Sequence, residues 1–76
     1  MTDKLIEILA ETLEADASQL PADLDFHTHP RWDSLAALTL MTAVEDEYGV
    51  VLSDQHLRSA ASISALAVLI RSLKSA

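Results

Sequence analysis

The chain contains no cysteine and almost no glycine or proline, and each scarcity excludes a kind of structure. Without a thiol, its 76 residues can form no disulfide, no thiolate metal site and no cysteine nucleophile. One glycine and two prolines are too few for the many tight turns of an all-β fold. Because a cysteine-free chain suits a reducing compartment, we expect the protein in the cytoplasm.

Positive charge is scarce too. Five Lys and Arg residues against twelve Asp and Glu residues give a formal net charge of −7. Such a chain would be repelled by nucleic acid and by anionic membrane surfaces, which are bound through clustered Lys and Arg. Its apolar runs are only a few residues long, so we expect no membrane insertion, and Met1-Thr2-Asp3-Lys4 is unlike the start of a signal peptide. The acidity either keeps a small monomer soluble or indicates partners with basic surfaces, and composition alone favours neither.

The first part of the chain is predicted to form an amphipathic helix over residues 2 to 15, followed by a long loop. The large apolar side chains of the helix fall on one face: Leu5, Ile6, Leu9 and Leu13. Thr2 is its predicted N-cap. From Asp16 to Arg31 the helical periodicity is lost, and turn-forming residues predict a loop pinned to the helices by three apolar side chains: Leu20, Leu24 and Phe26. A structured loop of this length in so short a chain is typical of a functional segment.

The second helix is predicted to begin at Asp33 or Ser34 and to end at Gly49. Its core stripe follows helical spacing: Ala37, Leu40, Met41, Val44 and Tyr48. Leu35 and Leu38 point to another side, which also carries Thr42 and Glu45. Apolar residues off the core stripe make that side a candidate contact surface.

Two further helices complete the predicted fold. Ser53-Asp54 is expected to cap a short third helix that runs to about Ala60 with Leu57 inward, and Ser62 is expected to cap the last one. The core positions of the last helix are Ile63, Leu66, Leu69, Ile70 and Leu73. We therefore predict an all-α four-helix bundle, with three longer helices, a short third helix and a long loop between the first two, in one domain of residues 1–76.

Ser34 lies at the start of the second helix, directly after the long loop. A hydroxyl there is accessible, and the unpaired N–H groups of the helix would favour a negative charge built on it. Asp33-Ser34 is also what an ordinary capped helix contains, so these residues alone favour no more than a cap.

The wider pattern is more specific. Trp32-Asp33-Ser34-Leu35 is followed by Leu38, Leu40 and Met41, and then by Glu45-Asp46-Glu47-Tyr48-Gly49-Val50. This arrangement resembles the acyl carrier protein family, in which an Asp-Ser-Leu triplet opens the second helix and an acidic cluster, an aromatic, a glycine and a β-branched residue close it. The segments 52–54 and 63–73 also fall where the third and fourth helices of that family lie, so the resemblance covers essentially the whole chain.

The resemblance implies a carrier function without catalysis. A phosphopantetheinyl transferase would move a 4'-phosphopantetheine arm from coenzyme A to the hydroxyl of Ser34, between Asp33 and Leu35. Acyl, polyketide or aminoacyl cargo would then be held as a thioester on the thiol of the arm, so the reactive sulfur belongs to the cofactor.

By the same resemblance, loading and processing enzymes present basic surfaces to the second helix. Leu35, Leu38 and Thr42 would form the apolar part of the docking face, and Glu45 and Asp46 its acidic part. Negative charge near a helix C-terminus is mildly unfavourable, so recognition explains these acids better than a structural role does.

Departures from the pattern of fatty-acid carriers favour a specialised pathway. Those carriers have Gly-x before the triplet and acidic residues after it, whereas this chain has Arg31-Trp32 before it and Ala36, Ala37 and Thr39 after it. We therefore expect a stand-alone carrier for polyketide, aminoacyl or surface-glycan synthesis. Trp32 is expected to anchor the loop, with docking as the alternative.

Two other functions compete with a carrier. The chain could be an unmodified acidic helical adaptor, which would not require the Asp-Ser-Leu triplet. An enzyme is disfavoured because no His or Cys lies near Ser34 in sequence and so small a domain leaves little room for a substrate cleft. His27 and His29 could suggest a metal site, but two imidazoles in a loop lack fixed ligand geometry, so we expect them exposed or packed in the loop. His56 has no obvious partner.

Overall fold

The computed structural model describes residues 2–75, which form four α-helices joined by loops and two short 3₁₀ turns. The helices are α1 (Thr2–Leu13), α2 (Ser34–Tyr48), α3 (Asp54–Ser59) and α4 (Ile63–Ser75). The two 3₁₀ turns, Ala17–Gln19 and Phe26–Thr28, lie in the loop between α1 and α2. The predicted all-α bundle is confirmed, and residues 2–75 contain no strand. None of the helices in this range is long and apolar enough to cross a membrane.

A single apolar core lies between the helices. Its most deeply buried large side chains come from α1, the loop, α2 and α4: Leu5, Leu9, Leu13, Leu20, Phe26, Leu40, Val44, Ile63, Leu66 and Ile70. α3 contributes Leu57, which points inward as predicted. Val50 and Leu52, between α2 and α3, are buried while Val51 between them is exposed, as expected for an extended segment.

The predicted core faces need three corrections. On α1, Ile8 is buried together with the predicted Leu5, Leu9 and Leu13, because it lies one turn from Leu5 on the side that packs inward, whereas Ile6 is only partly buried against the core. Ala36 of α2 and Ala67 of α4 are buried core residues that the sequence analysis left out. Both are small, so a search for large apolar side chains does not identify them as points of close packing.

The ends of α1 also differ from the prediction. The helix already includes Thr2, which is therefore not the N-cap, and it ends at Leu13 rather than near Ala15. Glu14 has a positive φ of 52°. The N–H of Ala15 bonds to the carbonyl of Ala10 at 2.9 Å and that of Glu14 to the carbonyl of Glu11 at 3.3 Å. These two bonds form a Schellman motif, in which glycine usually occupies the position that Glu14 holds here.

The other helix ends lie where the sequence predicts them. Gly49 closes α2 in the left-handed conformation, with φ of 69°, and its N–H bonds to the Glu45 carbonyl at 2.9 Å. Ser53 caps α3, and the Ser62 hydroxyl accepts the N–H of Ala65 at 3.1 Å in the first turn of α4.

The long loop is fixed by side-chain burial and by backbone pairing. Leu20 and Phe26 are buried and Leu24 is partly buried, so the predicted anchoring is confirmed. The N–H groups of Ile63 and Ser64 donate to the carbonyls of Leu24 and Ala22 at 3.1 and 2.8 Å. The start of α4 therefore holds the loop that leads to α2.

Tyr48, at the end of α2, carries a buried hydroxyl with no hydrogen-bond partner among the described residues. Burial raises the pKa of this phenol, with a smaller contribution from the charge of Glu47. An unpartnered buried hydroxyl is destabilising, so Tyr48→Phe should raise the free energy of unfolding by about 0.5–1 kcal/mol. Urea unfolding of the two proteins measures the difference, with Tyr48→Ala as a destabilised control. A less stable phenylalanine variant would mean that the hydroxyl has a partner in solution.

Candidate functional site

The start of α2 has an aspartate cap followed by a serine. Asp33 is the N-cap, and its Oδ1 accepts the N–H of Ala36 at 2.8 Å, while its carbonyl accepts the N–H of Ala37 at 3.0 Å. Ser34 is the first residue of the helix and is exposed. Within residues 2–75 its hydroxyl has no hydrogen-bond partner, nor do the N–H groups of Ser34 and Leu35. A free hydroxyl therefore lies beside free donors at the positive end of a helix.

This arrangement distinguishes Ser34 from the serines at the other helix starts. Ser53 and Ser62 are themselves N-caps, so their hydroxyls accept backbone N–H groups, from His56 at 3.2 Å and from Ala65 at 3.1 Å. In α2 the aspartate performs the capping, which leaves the serine hydroxyl available.

Ser34 borders a cleft of about 600 Å³ between α2, the loop and α3. Its lining includes apolar side chains and charged ones: His27, Trp32, Asp33, Ser34, Ala37, Leu38, Met41, Asp54, Leu57 and Arg58. A second groove of about 660 Å³ runs on the other side of the α2 start, along the end of α1. There Arg31 pairs with Glu14, Nη1 to Oε2, at 2.9 Å.

The five residues predicted to meet partners are all exposed on α2: Leu35, Leu38, Thr42, Glu45 and Asp46. Leu35 is 70% and Leu38 59% exposed, so two large apolar side chains on this side of the helix face solvent. The Thr42 hydroxyl donates to the Leu38 carbonyl at 3.1 Å, so its bond is made within the helix. This exposed side of α2, from Leu35 to Asp46, is called the docking face below.

The acids at the end of α2 have different surroundings. Glu47 lies 3.9 Å from the Lys4 ammonium, with both side chains about half exposed. Glu45 and Asp46 form no ion pair within residues 2–75. Neither charge is therefore neutralised by an ion pair within the described residues.

Trp32 packs into the loop, as its predicted anchoring role requires. Its ring meets Phe26 edge-on at 5.0 Å between centroids, and it is partly buried against the core. The His27 ring stacks on Phe26 at 4.3 Å and meets Trp32 edge-on at 5.6 Å. These three rings stabilise the loop next to the start of α2.

His27 lines the cleft beside Ser34, a position that the sequence did not predict. Its Nδ1 lies 2.7 Å from Oδ1 of Asp25 and its Nε2 lies 2.8 Å from the carbonyl oxygen of Leu57 in α3. The hydrogen bond from the His27 ring, then that from the His27 backbone N–H, lowers the pKa of Asp25 below its ordinary value. No local signal in the sequence could reveal a contact with a residue so far along the chain.

The other two histidines make local contacts. Nδ1 of His29 accepts the N–H of Arg31 at 3.1 Å. His56, for which the sequence offered no obvious partner, has one: its Nδ1 accepts the N–H of Ser53 at 3.0 Å and completes a capping box at the start of α3. Within residues 2–75, no cluster of His and acidic side chains has the geometry of a metal site.

The surroundings of Ser34 fit a covalently attached phosphate ester. The hydroxyl is exposed, two free N–H groups lie beside it, and the adjoining cleft and groove leave room on both sides. The helix N-terminus favours the negative charge that such an ester carries.

Comparison with known proteins agrees with this geometry. Residues 3–70 match the family described as "Phosphopantetheine attachment site". Polyketide-8 synthase acyl carrier protein 2 of Streptomyces avermitilis is 36% identical over 61 residues, which cover 80% of this chain and 70% of that protein. The acyl carrier proteins of Rickettsia canadensis and Rickettsia typhi are 36% and 34% identical over 61 residues, covering 80% of this chain and 71% of theirs. The chain therefore belongs to the acyl carrier protein family, and it is a carrier that holds acyl intermediates on a covalently attached phosphopantetheine arm.

Proposed function

We propose that the arm is attached to Ser34, with Asp33 and Leu35 as its flanking residues. The observation that supports this assignment is that Asp33 caps α2, so the exposed Ser34 hydroxyl makes no hydrogen bond to the described residues. The corresponding hydroxyls of Ser53 and Ser62 are engaged in capping. An unmodified adaptor is not favoured, because the family carries phosphopantetheine.

Peptide mapping tests the assignment. The unmodified protein is incubated with coenzyme A and a phosphopantetheinyl transferase of broad specificity, digested, and analysed by mass spectrometry. We expect the arm on the peptide that contains Ser34 and on no other peptide. An arm on another residue would contradict the assignment, as would an unmodified protein under conditions that load a control carrier.

We further propose that the chain catalyses no step on its cargo. His27 is the one histidine lining the cleft that Ser34 borders, so it is the histidine to consider as a general base. Both of its ring nitrogens already contact oxygen atoms, of Asp25 and of the Leu57 carbonyl. A base needs a free ring nitrogen within reach of the proton it removes, and His27 has none to offer Ser34.

The docking face is our proposed contact surface for the transferase and for loading and processing enzymes with basic surfaces. Leu35 and Leu38 provide exposed apolar area close to Ser34. Glu45 and Asp46 provide charges that no described residue neutralises. Apolar contact supplies most of the affinity of such a surface, while charge complementarity mainly raises the association rate.

Charge reversal on the docking face should slow attachment of the arm. Glu45→Lys or Asp46→Lys is expected to lower the loading rate about tenfold at low salt, because the steering attraction is replaced by repulsion. The difference from wild type should shrink as salt screens the charges. Loading kinetics across a salt series measure both effects.

Two variants separate local recognition from net charge. Glu7→Lys changes the net charge of the protein by the same amount on the exposed side of α1, and it should stay within about twofold of wild type. Leu38→Ala should slow loading at every salt concentration, because apolar contact is not screened. If Glu45→Lys and Glu7→Lys behave alike, the acidity of the docking face serves solubility alone.

We propose that the cargo belongs to a specialised pathway, such as polyketide synthesis. Support comes from Arg31-Trp32, which precede the Asp-Ser-Leu triplet where fatty-acid carriers have Gly-x, and from the similarity to a polyketide synthase carrier. Mass spectrometry of the protein isolated from its own cells identifies the acyl group, and a simple long-chain fatty acyl group as the main cargo would contradict the proposal.

Because the free thiol of the arm must stay reduced, we place this carrier in the cytoplasm. We also propose that residues 1–76 form one domain.

A further inference from the structure

The His27 side chain connects the long loop to α3. Among the described residues, only two side-chain hydrogen bonds join residues more than four positions apart: His27 Nε2 with the Leu57 carbonyl, and Arg31 with Glu14. The Arg31–Glu14 pair is largely exposed, whereas the contact to Leu57 is partly buried. His27 therefore provides the only side-chain hydrogen bond from the loop to α3 within residues 2–75.

The two oxygens that His27 meets can only accept hydrogen bonds. Oδ1 of Asp25 belongs to a carboxylate, and the Leu57 oxygen is a backbone carbonyl. A neutral imidazole carries one N–H and one lone pair, so it can donate to one of these oxygens but not to both. Only the doubly protonated ring donates at 2.7 Å and at 2.8 Å at the same time.

α3 depends on this contact more than a longer helix would. It has six residues and one large buried side chain, Leu57, whose carbonyl is the oxygen that His27 contacts. Short helices form few internal hydrogen bonds, so their position is set mainly by tertiary contacts. α3 also forms one wall of the cleft that Ser34 borders, through Asp54, Leu57 and Arg58.

We propose that His27 is a pH-dependent latch that positions α3 beside the attachment serine. When the ring is protonated, it holds Asp25 and the Leu57 carbonyl together and α3 is fixed. When the ring loses a proton, one of the two bonds is lost and α3 opens more often. The inference goes beyond the proposed attachment site, because the latch belongs to the unmodified fold.

The charged groups near the ring set the pH range of the latch. Asp25 lies on the same loop, Asp33 at the start of α2, and Asp54 and Arg58 on α3, all but Asp25 in the lining of the same cleft. Because the folded pKa of Asp25 is lowered, its contact stabilises the fold above the pKa of an unfolded aspartate and is lost as the pH falls through the lowered value. The latch is therefore complete only where the carboxylate is ionised and the imidazole is protonated.

Amide hydrogen exchange of the unmodified protein, followed by NMR, tests the latch. The protection factor of each α3 amide is compared with that of Leu9 in α1 at the same pH, so that opening of α3 alone is distinguished from unfolding of the whole protein. On going from about pH 7.5 to about pH 5.5, the α3 amides should gain about threefold in relative protection. All variants carry His56→Gln, which keeps the capping box of α3 with a side chain that does not titrate. In that background His27→Gln should abolish the gain, and His29→Gln, in the same loop, should retain it.

A second variant keeps the test decisive if His27→Gln folds poorly. Asp25→Asn removes the charge but keeps an oxygen that can accept a hydrogen bond, and it should diminish the pH response of α3. NMR of the imidazole nitrogens provides a direct measure, since both should carry protons at the lower pH in the wild-type protein. Relative protection that does not change with pH in the wild type, or that changes equally in the histidine variant, would overturn the latch.

Discussion

Replacing Ser34 with alanine should abolish attachment of the phosphopantetheine arm and leave the fold intact. Loading should fall to zero, because the hydroxyl that forms the ester is gone. The helix should lose little, because Asp33 rather than Ser34 caps α2 and alanine is the best helix former. We expect the free energy of unfolding to stay within about 0.5 kcal/mol of wild type. Intact mass after incubation with coenzyme A and transferase, together with a urea melt, measures both effects.

Ser53→Ala provides the matched control, because it should show the opposite behaviour. Ser53 caps α3 in a capping box with His56, so its loss should lower the free energy of unfolding by about 1 kcal/mol. Its loading should be complete, since its hydroxyl is not the proposed attachment point. If Ser34→Ala still accepts the arm, the attachment site is elsewhere; if it unfolds, the serine has a structural role that its surroundings do not reveal.

Replacing Phe26 with alanine should cause the largest loss of stability. The ring is 0% exposed, stacks on His27 and meets Trp32 edge-on. Removal of a buried phenylalanine costs about 3–5 kcal/mol through lost burial and the cavity left behind. A domain of this size rarely has more than about 3–5 kcal/mol of stability. We therefore expect a largely unfolded protein at room temperature, measured by circular dichroism and urea titration.

Leu24→Ala is the companion variant for this position. Leu24 lies in the same loop but is only partly buried, so its loss should cost clearly less than that of Phe26. Phe26→Leu should also retain most of the fold, because much of the volume remains. A Phe26→Ala protein as stable as Leu24→Ala would mean that the loop does not depend on its aromatic anchor.

The sequence predicts those parts of the site that are determined by a few neighbouring residues. The ends of α2 and the caps of α3 and α4 depend on residues within four positions of each boundary. The start of α2 was predicted at Asp33 or Ser34 and lies at Ser34, and its end at Gly49 and the two caps were predicted correctly. The exposure of Leu35 and Leu38 follows from helical periodicity alone.

The features that the sequence analysis missed depend on neighbours far along the chain or on unusual local choices. The contact of His27 with Leu57 requires the loop and α3 to meet, which no pattern within either segment indicates. The burial of Ala36 reflects close packing, and a small side chain gives little periodic signal. Glu14 occupies a position where glycine is the usual residue, so no glycine marked the end of α1 and the helix was predicted to run to Ala15.

The two backbone bonds from Ile63 and Ser64 to the loop have a consequence for the order of events during synthesis. When the residues around Ser34 leave the ribosome, the first turn of α4 is still inside it, so the loop before the serine lacks those two donors. Domains complete their packing only after their later segments emerge. A transferase that recognises the folded loop and α2 together should therefore act on this segment only after the start of α4 has also left the ribosome.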